Sequence, residues 1–355
     1  MKKILLFSLL FFIGINYVYA STDTAYSYVL MDEVTGRVLK GKNIDSPKLI
    51  ASITKIMTCI LAIEANKLDD IVVVNESVLS SYGSGIYISV GEEIKLIDLL
   101  YGLMLRSGND AALMIADYVG GDVDNFVLMM NKKAKEVGMK NTKFVNPSGL
   151  DKNGIGNYST SYDMALLTRY AMQNDIYREI VKTKSYVAKS NLKTYVWKNK
   201  NKLLNYKYIT GGKTGFTEIA KRTLITSAKK GNTELVVVTL NDGNDFSDHK
   251  KLYEEAFKEY KTIKIIKKGY IQIPDEKFYK NVKFYVKEKF NYTINDRDDI
   301  LIKYILDEKF KYKNNDVVGK LEVYNKKNKI FDTDIYIKIK KKKIDVIEYM
   351  LGLFK

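Results

Sequence analysis

Three short strings of polar residues follow one another along this 355-residue chain and constrain its fold more than any other feature. They are Ser52-Ile53-Thr54-Lys55, Ser107-Gly108-Asn109 and Lys213-Thr214-Gly215. Ser-x-x-Lys occurs four times because the chain is rich in lysine, so that string alone identifies nothing. Only Ser52 precedes both of the other strings, each of which occurs once. The order therefore singles out one candidate nucleophile and predicts a fold in which these three segments meet.

The first string places a hydroxyl and an amine on one face of a helix. Residues three apart on a helix point the same way, so the amine of Lys55 can reach the hydroxyl of Ser52. A serine hydroxyl is a weak nucleophile until a neighbouring base takes its proton. Lysine is such a base only when it is neutral, and both burial and a nearby cation, here Lys213, favour the neutral form. The pattern predicts acyl transfer from Ser52 with Lys55 as the base.

The other two strings supply groups that can hold a peptide substrate. The hydroxyl of Ser107 can relay a proton to a leaving amine, and the amide of Asn109 can keep a peptide in register. Lys213-Thr214-Gly215 is predicted to begin a strand at the edge of the site. The ammonium of Lys213 and the hydroxyl of Thr214 can bind a terminal carboxylate, and Gly215 lets the substrate backbone approach closely. Together the strings predict a two-lysine site for acyl transfer from a peptide.

The start of the chain has the pattern of a secretory signal peptide over residues 1–20. Lys2 and Lys3 precede an apolar run from Ile4 to Ile15, and Val18-Tyr19-Ala20 is a small-x-small cleavage site. The alternative is an uncleaved N-terminal anchor, although the apolar run is short for a membrane span. Export argues against nucleic acid as a partner, despite a formal net charge of +16.

The C-terminal part of the chain carries most of the positive charge and ends in an amphipathic segment. Residues 261–355 contain 24 basic and 14 acidic residues. At about 100° per residue, the apolar side chains of residues 344–355 fall on one half of a helix. This segment is too short to cross a bilayer and directly follows a cluster of lysines at positions 338 and 340–343. We therefore predict a helix lying on an anionic membrane surface, the alternative being a face that packs on its own domain.

Cysteine and histidine give no sign of metal or thiol chemistry. Cys59 is the only cysteine, which excludes an intramolecular disulfide, and it lies on the same helix face as Ser52. We expect Cys59 to be packed in the core. His249 is the only histidine and lies in a polar run typical of a helix start, so we assign it no catalytic role. The sequence accordingly predicts no metal site and no cofactor.

Apolar periodicity predicts an α+β region followed by a smaller all-β domain. The predicted boundaries are residues 21–260 for the first domain and 261–343 for the second. Helices are predicted from Ser52 onward and over Leu96–Leu105, Asp110–Val119, Asp124–Val137, Ser161–Met172 and Asp248–Tyr260. Strands are predicted over Tyr26–Met31, Arg37–Lys40, Leu224–Ala228 and Glu234–Leu240. Beyond Thr262 the short strand-like runs are Ile263–Ile266, Tyr270–Ile273, Val282–Val286, Ile300–Leu306, Val317–Tyr324 and Ile335–Ile339.

In its motifs the chain resembles the serine-type D-alanyl-D-alanine carboxypeptidases, the low-molecular-mass penicillin-binding proteins of the peptidase S11 family. The resemblance covers roughly residues 26–260 and extends beyond the three strings to Leu30-Met31-Asp32, Asp98-Leu99-Leu100-Tyr101-Gly102, Asn146-Pro147-Ser148-Gly149-Leu150 and Tyr162-Asp163-Met164-Ala165. Glycine is common in this family between the Ser and Asn of the second string, as at Gly108. The resemblance implies a β-lactamase/transpeptidase-like catalytic domain of helices and antiparallel sheet, with a second domain and a membrane anchor.

The resemblance also assigns roles to matched residues. Ser52 would attack the carbonyl between the two D-alanines of a peptidoglycan stem peptide, with Lys55 as base and Ser107 in the catalytic set. The backbone N–H groups of Ser52 and Phe216 would form the oxyanion hole, a contribution of about 3 kcal/mol per donor. The implied substrate-binding residues are Asn109, Lys213, Thr214, Gly215 and Phe216. β-Lactams would acylate Ser52 and hydrolyse slowly.

Three positions depart from the family's pattern. Ser148 and Asn157 stand where members often carry His, and Lys221 stands where they often carry Gly. None of these is a catalytic position, so they put substrate preference rather than activity in question.

Three rival functions follow from the same strings. Class A β-lactamases also need a deacylating glutamate in a Glu-x-x-Leu-Asn context, and residues 110–212 contain no such string. A DD-endopeptidase or transpeptidase on the same scaffold stays open, because the site cannot distinguish water from an amine acceptor. A catalytically silent wall-binding protein is the third reading, and the joint presence of the predicted catalytic residues argues against it.

Overall fold

The computed structural model describes residues 24–340. The α-helices are α1 (Lys55–Glu64), α2 (Leu96–Tyr101), α3 (Asn109–Gly120), α4 (Val123–Val137), α5 (Ser161–Ala171), α6 (Asp175–Lys182) and α7 (Asp245–Glu259). The strands are β1 (Ser27–Asp32), β2 (Val38–Lys42), β3 (Lys48–Leu49), β4 (Ile71–Val73), β5 (Glu93–Lys95), β6 (Tyr158–Ser159), β7 (Ser185–Lys189), β8 (Thr194–Lys198), β9 (Ile209–Thr217), β10 (Lys221–Lys230), β11 (Thr233–Leu240), β12 (Lys261–Ile266), β13 (Gly269–Ile271), β14 (Val282–Val286), β15 (Phe290–Ile294), β16 (Ile300–Leu306), β17 (Val317–Asn325) and β18 (Asn328–Ile339).

The first region is built on an antiparallel sheet with the strand order β2-β1-β11-β10-β9. Its central strand β11 is a continuous apolar run because helices cover both of its faces. Val236 and Val238 lie in the large core shared with α1 and α5, while Leu235 and Val237 pack with Tyr253 of α7. Strand β9 forms one edge of this sheet and is free to face a substrate along that edge.

Helix α1 lies at the centre of the large core. Every residue from Lys55 to Ile63 is buried, as expected for a helix that is apolar nearly all round. A short 3₁₀ turn, Ala51–Thr54, leads into it and carries Ser52. The predicted nucleophile is therefore mounted on the most enclosed helix of the first region.

The second region consists of strands with their own core. The sheet has the order β13-β14-β18-β17-β16, and β12 pairs with β15 beside it. Val318, Leu321 and Ile335 lie in its buried cluster. Arg37 of the first region joins it by a two-pronged ion pair with Asp298, at 2.7 and 2.9 Å. The predicted fold class, an α+β region followed by a smaller all-β region, is confirmed.

Most predicted elements are present within one to three residues of their expected ends, although β18 begins seven residues before the expected Ile335. The sequence analysis missed α6, the β7–β8 hairpin, β15 and the short strands β3, β4, β5 and β6. The helix predicted over residues 96–105 is correct in position but ends in a π-helical turn, Gly102–Arg106. The predicted signal peptide and the predicted helix over residues 344–355 lie outside the described residues. Within residues 24–340, no helix is long and apolar enough to span a bilayer.

Candidate active site

The backbone turns sharply just before Ser52. Ala51 has a left-handed conformation, with φ 49°, which a residue other than glycine adopts rarely. Gly149, with φ +86°, packs on this turn so closely that an added Cβ would lie 1.9 Å from the carbonyl oxygen of Ala51. Such local strain persists only where the surroundings enforce it, and it is typical of functional sites. The turn presents Ser52, which is half-buried, at the start of α1.

The side chain of Lys55 is buried and fully hydrogen-bonded. Its Nζ lies 3.0 Å from Oγ of Ser52, 2.7 Å from Oδ1 of Asn109 and 2.5 Å from the carbonyl oxygen of Ser148. A neutral amine has two N–H donors and one lone pair. Donation to Asn109 and Ser148 leaves that lone pair directed at the hydroxyl of Ser52. The geometry is the one required for removing the hydroxyl proton.

The surroundings favour the neutral form of Lys55. Burial lowers its pKa well below the ordinary lysine value, and the charges of Lys213 and Lys200 lower it further. Asp110 acts in the opposite direction, raising the pKa. The lowering effects are larger than the effect of Asp110, so the fold favours the neutral form of Lys55 that the sequence analysis requires.

The second string closes the cleft beside this pair. Ser107 is buried and left-handed, with φ 65°, at the end of the π-helical turn. Gly108 has no room for a side chain, because an added Cβ would lie 2.8 Å from Oδ1 of Asp110. Asn109 donates through Nδ2 to the carbonyl oxygen of Tyr82 at 2.7 Å, besides accepting from Lys55. Its side chain is thus fixed from both ends.

The third string lies in the middle of the edge strand β9, not at its start as predicted. The strand begins earlier because residues 209–212 also pair with β10. Gly215 is pressed against the nucleophile turn, since an added Cβ would lie 2.9 Å from the backbone nitrogen of Ser52. Glycine at this position therefore lets the edge strand and the nucleophile's amide approach each other. Thr214 is half-buried and Phe216 is exposed, at 56%.

Lys213 is buried and provides the second amine of the cleft. Its Nζ donates to the carbonyl oxygen of Thr214 at 2.7 Å. Burial and the nearby charge of Lys200 lower the pKa of Lys213 to about 7. Lys213 therefore remains able to carry a proton near neutral pH. Lys55 is therefore suited to act as a base, and Lys213 is suited to bind an anion.

A cavity of 490 Å³ opens beside Asn109 and Ser148. Its apolar wall is formed by Leu113, Val145, Leu150 and Ile155, and Tyr82 stands at its rim. The cavity lies next to the two groups that accept hydrogen bonds from Lys55. It provides room for part of a bound molecule beside the cleft.

The three departures from the family pattern have structural explanations. Ser148 contributes its backbone carbonyl oxygen to Lys55, so its side chain is not needed there. Asn157 is buried and donates through Nδ2 to Oγ1 of Thr54 at 3.0 Å, which braces the nucleophile turn. Lys221 adopts a left-handed conformation with φ 60°, the type of position where glycine is favoured.

Cys59 and His249 are buried, and the expected core position of Cys59 is confirmed. Burial raises the pKa of the Cys59 thiol, so the thiolate is disfavoured. His249 lies in α7 with Nδ1 2.7 Å from Oγ1 of Thr226 and Nε2 3.1 Å from Oγ1 of Thr239. Burial lowers its pKa to about 3, which leaves it neutral.

Two contributors to the cleft were missed by the sequence analysis. Asp110 holds the loop at the cleft rim, since its Oδ2 accepts from the backbone nitrogen of Tyr87 at 2.6 Å and from that of Ile86 at 2.9 Å. Lys200 lies at the rim with Nζ 3.1 Å from Oγ of Ser84. Asp110 directly follows the second string, which was a usable signal, whereas nothing in the sequence around Lys200 marks it.

Comparison with known proteins gives a consistent result. Residues 16–244 match the family model of peptidase S11, D-alanyl-D-alanine carboxypeptidase. The chain is 37% identical over 255 residues to the D-alanyl-D-alanine carboxypeptidase DacF of Bacillus subtilis, an alignment that covers 69% of this chain and 65% of DacF. It is 31% identical over 282 residues to the D-alanyl-D-alanine carboxypeptidase DacA of Haemophilus influenzae, covering 74% and 69%.

Solved structures agree on both regions of the fold. Penicillin binding protein 5 of Haemophilus influenzae is similar over 91% of this chain and 99% of its own, with a TM-score of 0.74 and 27% identity. A Streptomyces DD-transpeptidase is similar over 67% of this chain and 100% of its own, with a TM-score of 0.64 and 32% identity. The former likeness includes the β-rich region, while the latter covers a smaller share of the chain.

Proposed function

The chain belongs to the D-alanyl-D-alanine carboxypeptidase family of serine peptidases, and from this premise we propose that it removes the terminal D-alanine of peptidoglycan stem pentapeptides. The observation that carries the proposal is the contact between Nζ of Lys55 and Oγ of Ser52, in a pocket whose burial and positive charges favour the neutral amine. The alignment with DacF spans 65% of that protein's length. The activity is therefore argued from the site residues of this chain.

Acylation of Ser52 is the first step. Lys55 takes the hydroxyl proton as Oγ bonds to the carbonyl carbon between the two D-alanines. The backbone N–H groups of Ser52 and Phe216 stabilise the oxyanion. The C–N bond then breaks, and the leaving amine receives a proton from Lys55, for which Ser107 serves as the relay. Free D-alanine leaves and the shortened peptide remains as an ester on Ser52.

Substrate binding rests on charge and register. The protonated Lys213 and the Thr214 hydroxyl bind the terminal carboxylate of the substrate. Asn109 and the edge strand around Gly215 hold the peptide backbone, and the 490 Å³ cavity takes the part of the stem before the D-alanine pair.

Hydrolysis of the ester is the second step. Lys55 takes a proton from a water molecule as the water oxygen bonds to the ester carbonyl carbon. The bond to Oγ of Ser52 then breaks, and Lys55 returns the proton to that oxygen. β-Lactams carry a carboxylate beside a reactive carbonyl, so they acylate Ser52 in the same way.

A transpeptidase or endopeptidase on this scaffold is the second candidate. The likeness to a Streptomyces DD-transpeptidase favours it, because the same fold serves transfer to an amine in that protein. Both reactions share the Ser52 ester and differ only in the acceptor. Release of free D-alanine in the absence of any amine acceptor, followed by hydrolysis of the ester, distinguishes the carboxypeptidase.

Labelled penicillin and a diacyl-Lys-D-Ala-D-Ala peptide test the proposal. We expect intact mass and peptide mapping to place the penicillin adduct on Ser52, and the peptide to release D-alanine. Ser52→Ala should abolish both. Ser247→Ala is a matched control, because Ser247 begins another Ser-x-x-Lys string but lies exposed in α7, and it should leave both unchanged.

Two outcomes would contradict the assignment in different ways. An adduct that persists in Ser52→Ala would remove Ser52 as the nucleophile. An adduct without continued release of D-alanine in the absence of an amine acceptor would favour a transpeptidase, and the absence of both adduct and release in a folded protein would favour the silent wall-binding reading.

We also propose that the chain is exported and held at the outer face of the cytoplasmic membrane by residues 344–355. The signal-like pattern of residues 1–20 and the lysines that precede Ile344 support this proposal. A chain truncated before Ile344 should separate from anionic vesicles, and unchanged binding would contradict the role of that segment.

A further inference from the structure

The outer face of the second sheet divides into two chemically different halves. Alternate residues of its strands face inward, such as Phe284 and Ile337, so their neighbours face outward. One half is formed by β13, β14 and the C-terminal part of β18, and its outward residues are tyrosines and lysines. We call this set the tyrosine–lysine patch. Its members are Tyr270, Lys283, Tyr285, Tyr336 and Lys338, together with Lys287 directly after the end of β14.

The other half of the face, on β16, β17 and the start of β18, carries paired charges, the exposed side chains of Leu301 and Ile305, and Lys303, whose Nζ lies 4.6 Å from the centre of the Tyr324 ring. Lys329 forms ion pairs with Glu322 at 3.2 Å and with Asp332 at 3.5 Å. Lys320 forms another with Asp332, at 3.5 Å. These pairs lie on β17 and the start of β18, and they neutralise one another. This half has no surplus of positive charge to offer an anion.

The lysines of the patch have aromatic rings as neighbours instead of carboxylates. Nζ of Lys287 lies 3.8 Å from the centre of the Tyr336 ring, and Nζ of Lys283 lies 5.1 Å from that of Tyr270. Among the residues that the structure describes, the three patch lysines form no ion pair. The cation–π contacts hold the side chains in place without neutralising them.

The register of the sheet adds a direct repulsion. Lys283 lies opposite Lys338 in the β14–β18 pair, and like charges directly opposite each other destabilise a sheet. The next outward pair is Tyr285 opposite Tyr336, with ring centres 5.4 Å apart. A carboxylate at either lysine position would remove the repulsion, yet both positions are basic. An anionic partner outside the chain would neutralise this pair.

We propose that the tyrosine–lysine patch binds the surface of an anionic lipid bilayer. Tyrosine is enriched at membrane interfaces, where its ring is apolar and its hydroxyl stays wet, and nearby lysines attract anionic headgroups. Strand β18 ends at Ile339, within the patch, and the lysine cluster and the amphipathic residues 344–355 follow directly. The patch therefore lies where the chain leaves toward its proposed membrane segment. The inference extends that proposed attachment and is independent of the catalytic activity.

Binding of the full chain to vesicles of equal parts phosphatidylglycerol and phosphatidylcholine provides the first test. Each lysine near an anionic surface contributes about fivefold in affinity. Lys283→Gln, Lys287→Gln and Lys338→Gln combined should therefore weaken binding by on the order of a hundredfold. The matched control combines Lys303→Gln, Lys320→Gln and Lys329→Gln, which removes the same charge from the other half. It should weaken binding much less, because salt screens charges farther from the lipid than about 10 Å.

A fluorescent probe gives the second test. Cys59 is buried, so a thiol-reactive, polarity-sensitive dye will label an introduced cysteine selectively. A dye on Tyr270→Cys should shift to the blue when vesicles are added, and a dye on Leu301→Cys in the paired half should not. Tyr270 is 59% exposed and Leu301 is 48% exposed, so the two sites are comparable before binding.

Each contrary result overturns the inference for a stated reason. Equal losses in the two triple variants would show that net charge alone matters. A blue-shifted Tyr270→Cys probe before vesicles are added would show that the chain's own C-terminal segment covers the patch. Patch-dependent binding of poly(glycerol phosphate) without vesicle binding would assign the patch to a wall polymer. Vesicle binding that is lost only on truncation before Ile344 would uphold the terminal attachment and reject the patch.

Discussion

The lysines of the cleft and the lysines of the patch are placed in opposite environments. Lys55 and Lys213 are buried, and the charge of Lys213 lowers the pKa of Lys55. Lys283 and Lys338 are exposed and lie opposite each other on a sheet. Both regions contain two lysines whose positive charges would repel each other. Burial favours the neutral form of Lys55, which can then act as a base, whereas the exposed pair forms a surface that can bind an anion.

The comparison teaches that the chemistry of a lysine is decided by what surrounds it. Residue type and spacing identified Lys55 and Lys213, but their burial and the charges around them lower their pKa values. The same residue type at the surface costs stability unless something outside the chain neutralises it. The predictions that follow alter one side of this comparison at a time, starting with the largest effect.

Replacing Lys55 with Met should have the largest effect. The variant keeps an unbranched chain of similar volume but loses the lone pair that accepts the Ser52 proton. General bases contribute about 10²–10⁴-fold, so we expect the rate of acylation by penicillin to fall about a thousandfold. Rapid-quench mass spectrometry measures that rate.

Lys140→Met is the control for this change, since Lys140 is exposed and distant in sequence from every cleft string. Thermal unfolding of both variants separates lost chemistry from lost folding. A folded Lys55→Met protein that acylates at the normal rate would show that the buried lysine is not the base.

The pH dependence of kcat/KM distinguishes the two cleft lysines. Lys55 acts only when neutral, so activity should rise with pH through its lowered pKa. Lys213 binds the carboxylate only when protonated, so activity should fall as pH rises through its pKa of about 7. A bell-shaped profile results, and kcat/KM reports both groups in the free enzyme. Their mutual interaction means that the two limbs belong to the pair.

Removing Lys200 should move that profile. Its charge lowers the pKa of Lys55 and that of Lys213, so Lys200→Gln should shift both limbs to higher pH. The neighbouring Lys198→Gln, on an exposed position of β8, should leave them in place. A shift to lower pH in Lys200→Gln, or equal shifts in both variants, would contradict an electrostatic role for the rim lysine.

Periodicity predicted the elements whose burial is regular and missed those whose signals are local. The run from Leu235 to Val238 is apolar throughout because α5 and α7 cover both faces, and it was recognised. Helix α6 has only eight residues, and its start is marked by Asn174, whose Oδ1 accepts from the backbone nitrogen of Ile176 at 2.9 Å. That cap was a usable signal. In the β7–β8 hairpin the alternating strands are short, and neither stands out from a lysine-rich background.

The groups of the candidate site likewise divide into those that the sequence identified and those that it missed. The three strings located Ser52, Lys55 and Asn109, which hydrogen bonds join. The carbonyl oxygen of Ser148 could not be predicted, because a backbone acceptor has no residue type to recognise and comes from 93 residues away. The rim charge of Lys200 likewise depends on where its loop lies after folding. Sequence identifies the reacting groups, and tertiary structure supplies the groups that set their protonation.

The smallest predicted effect concerns the stability of the second sheet. Lys338→Gln removes the repulsion with Lys283 and breaks no ion pair, so the free energy of unfolding should rise by about 0.2–1 kcal/mol. Lys329→Gln removes the same charge from the same strand but breaks the ion pairs with Glu322 and Asp332, so the free energy of unfolding should fall. Urea unfolding at low and high salt measures both changes, and salt should reduce each of them because both are electrostatic. If Lys338→Gln lowered stability while also weakening vesicle binding, the lysine pair would be part of the fold's own stabilisation, and the contrast between cleft and patch would not hold.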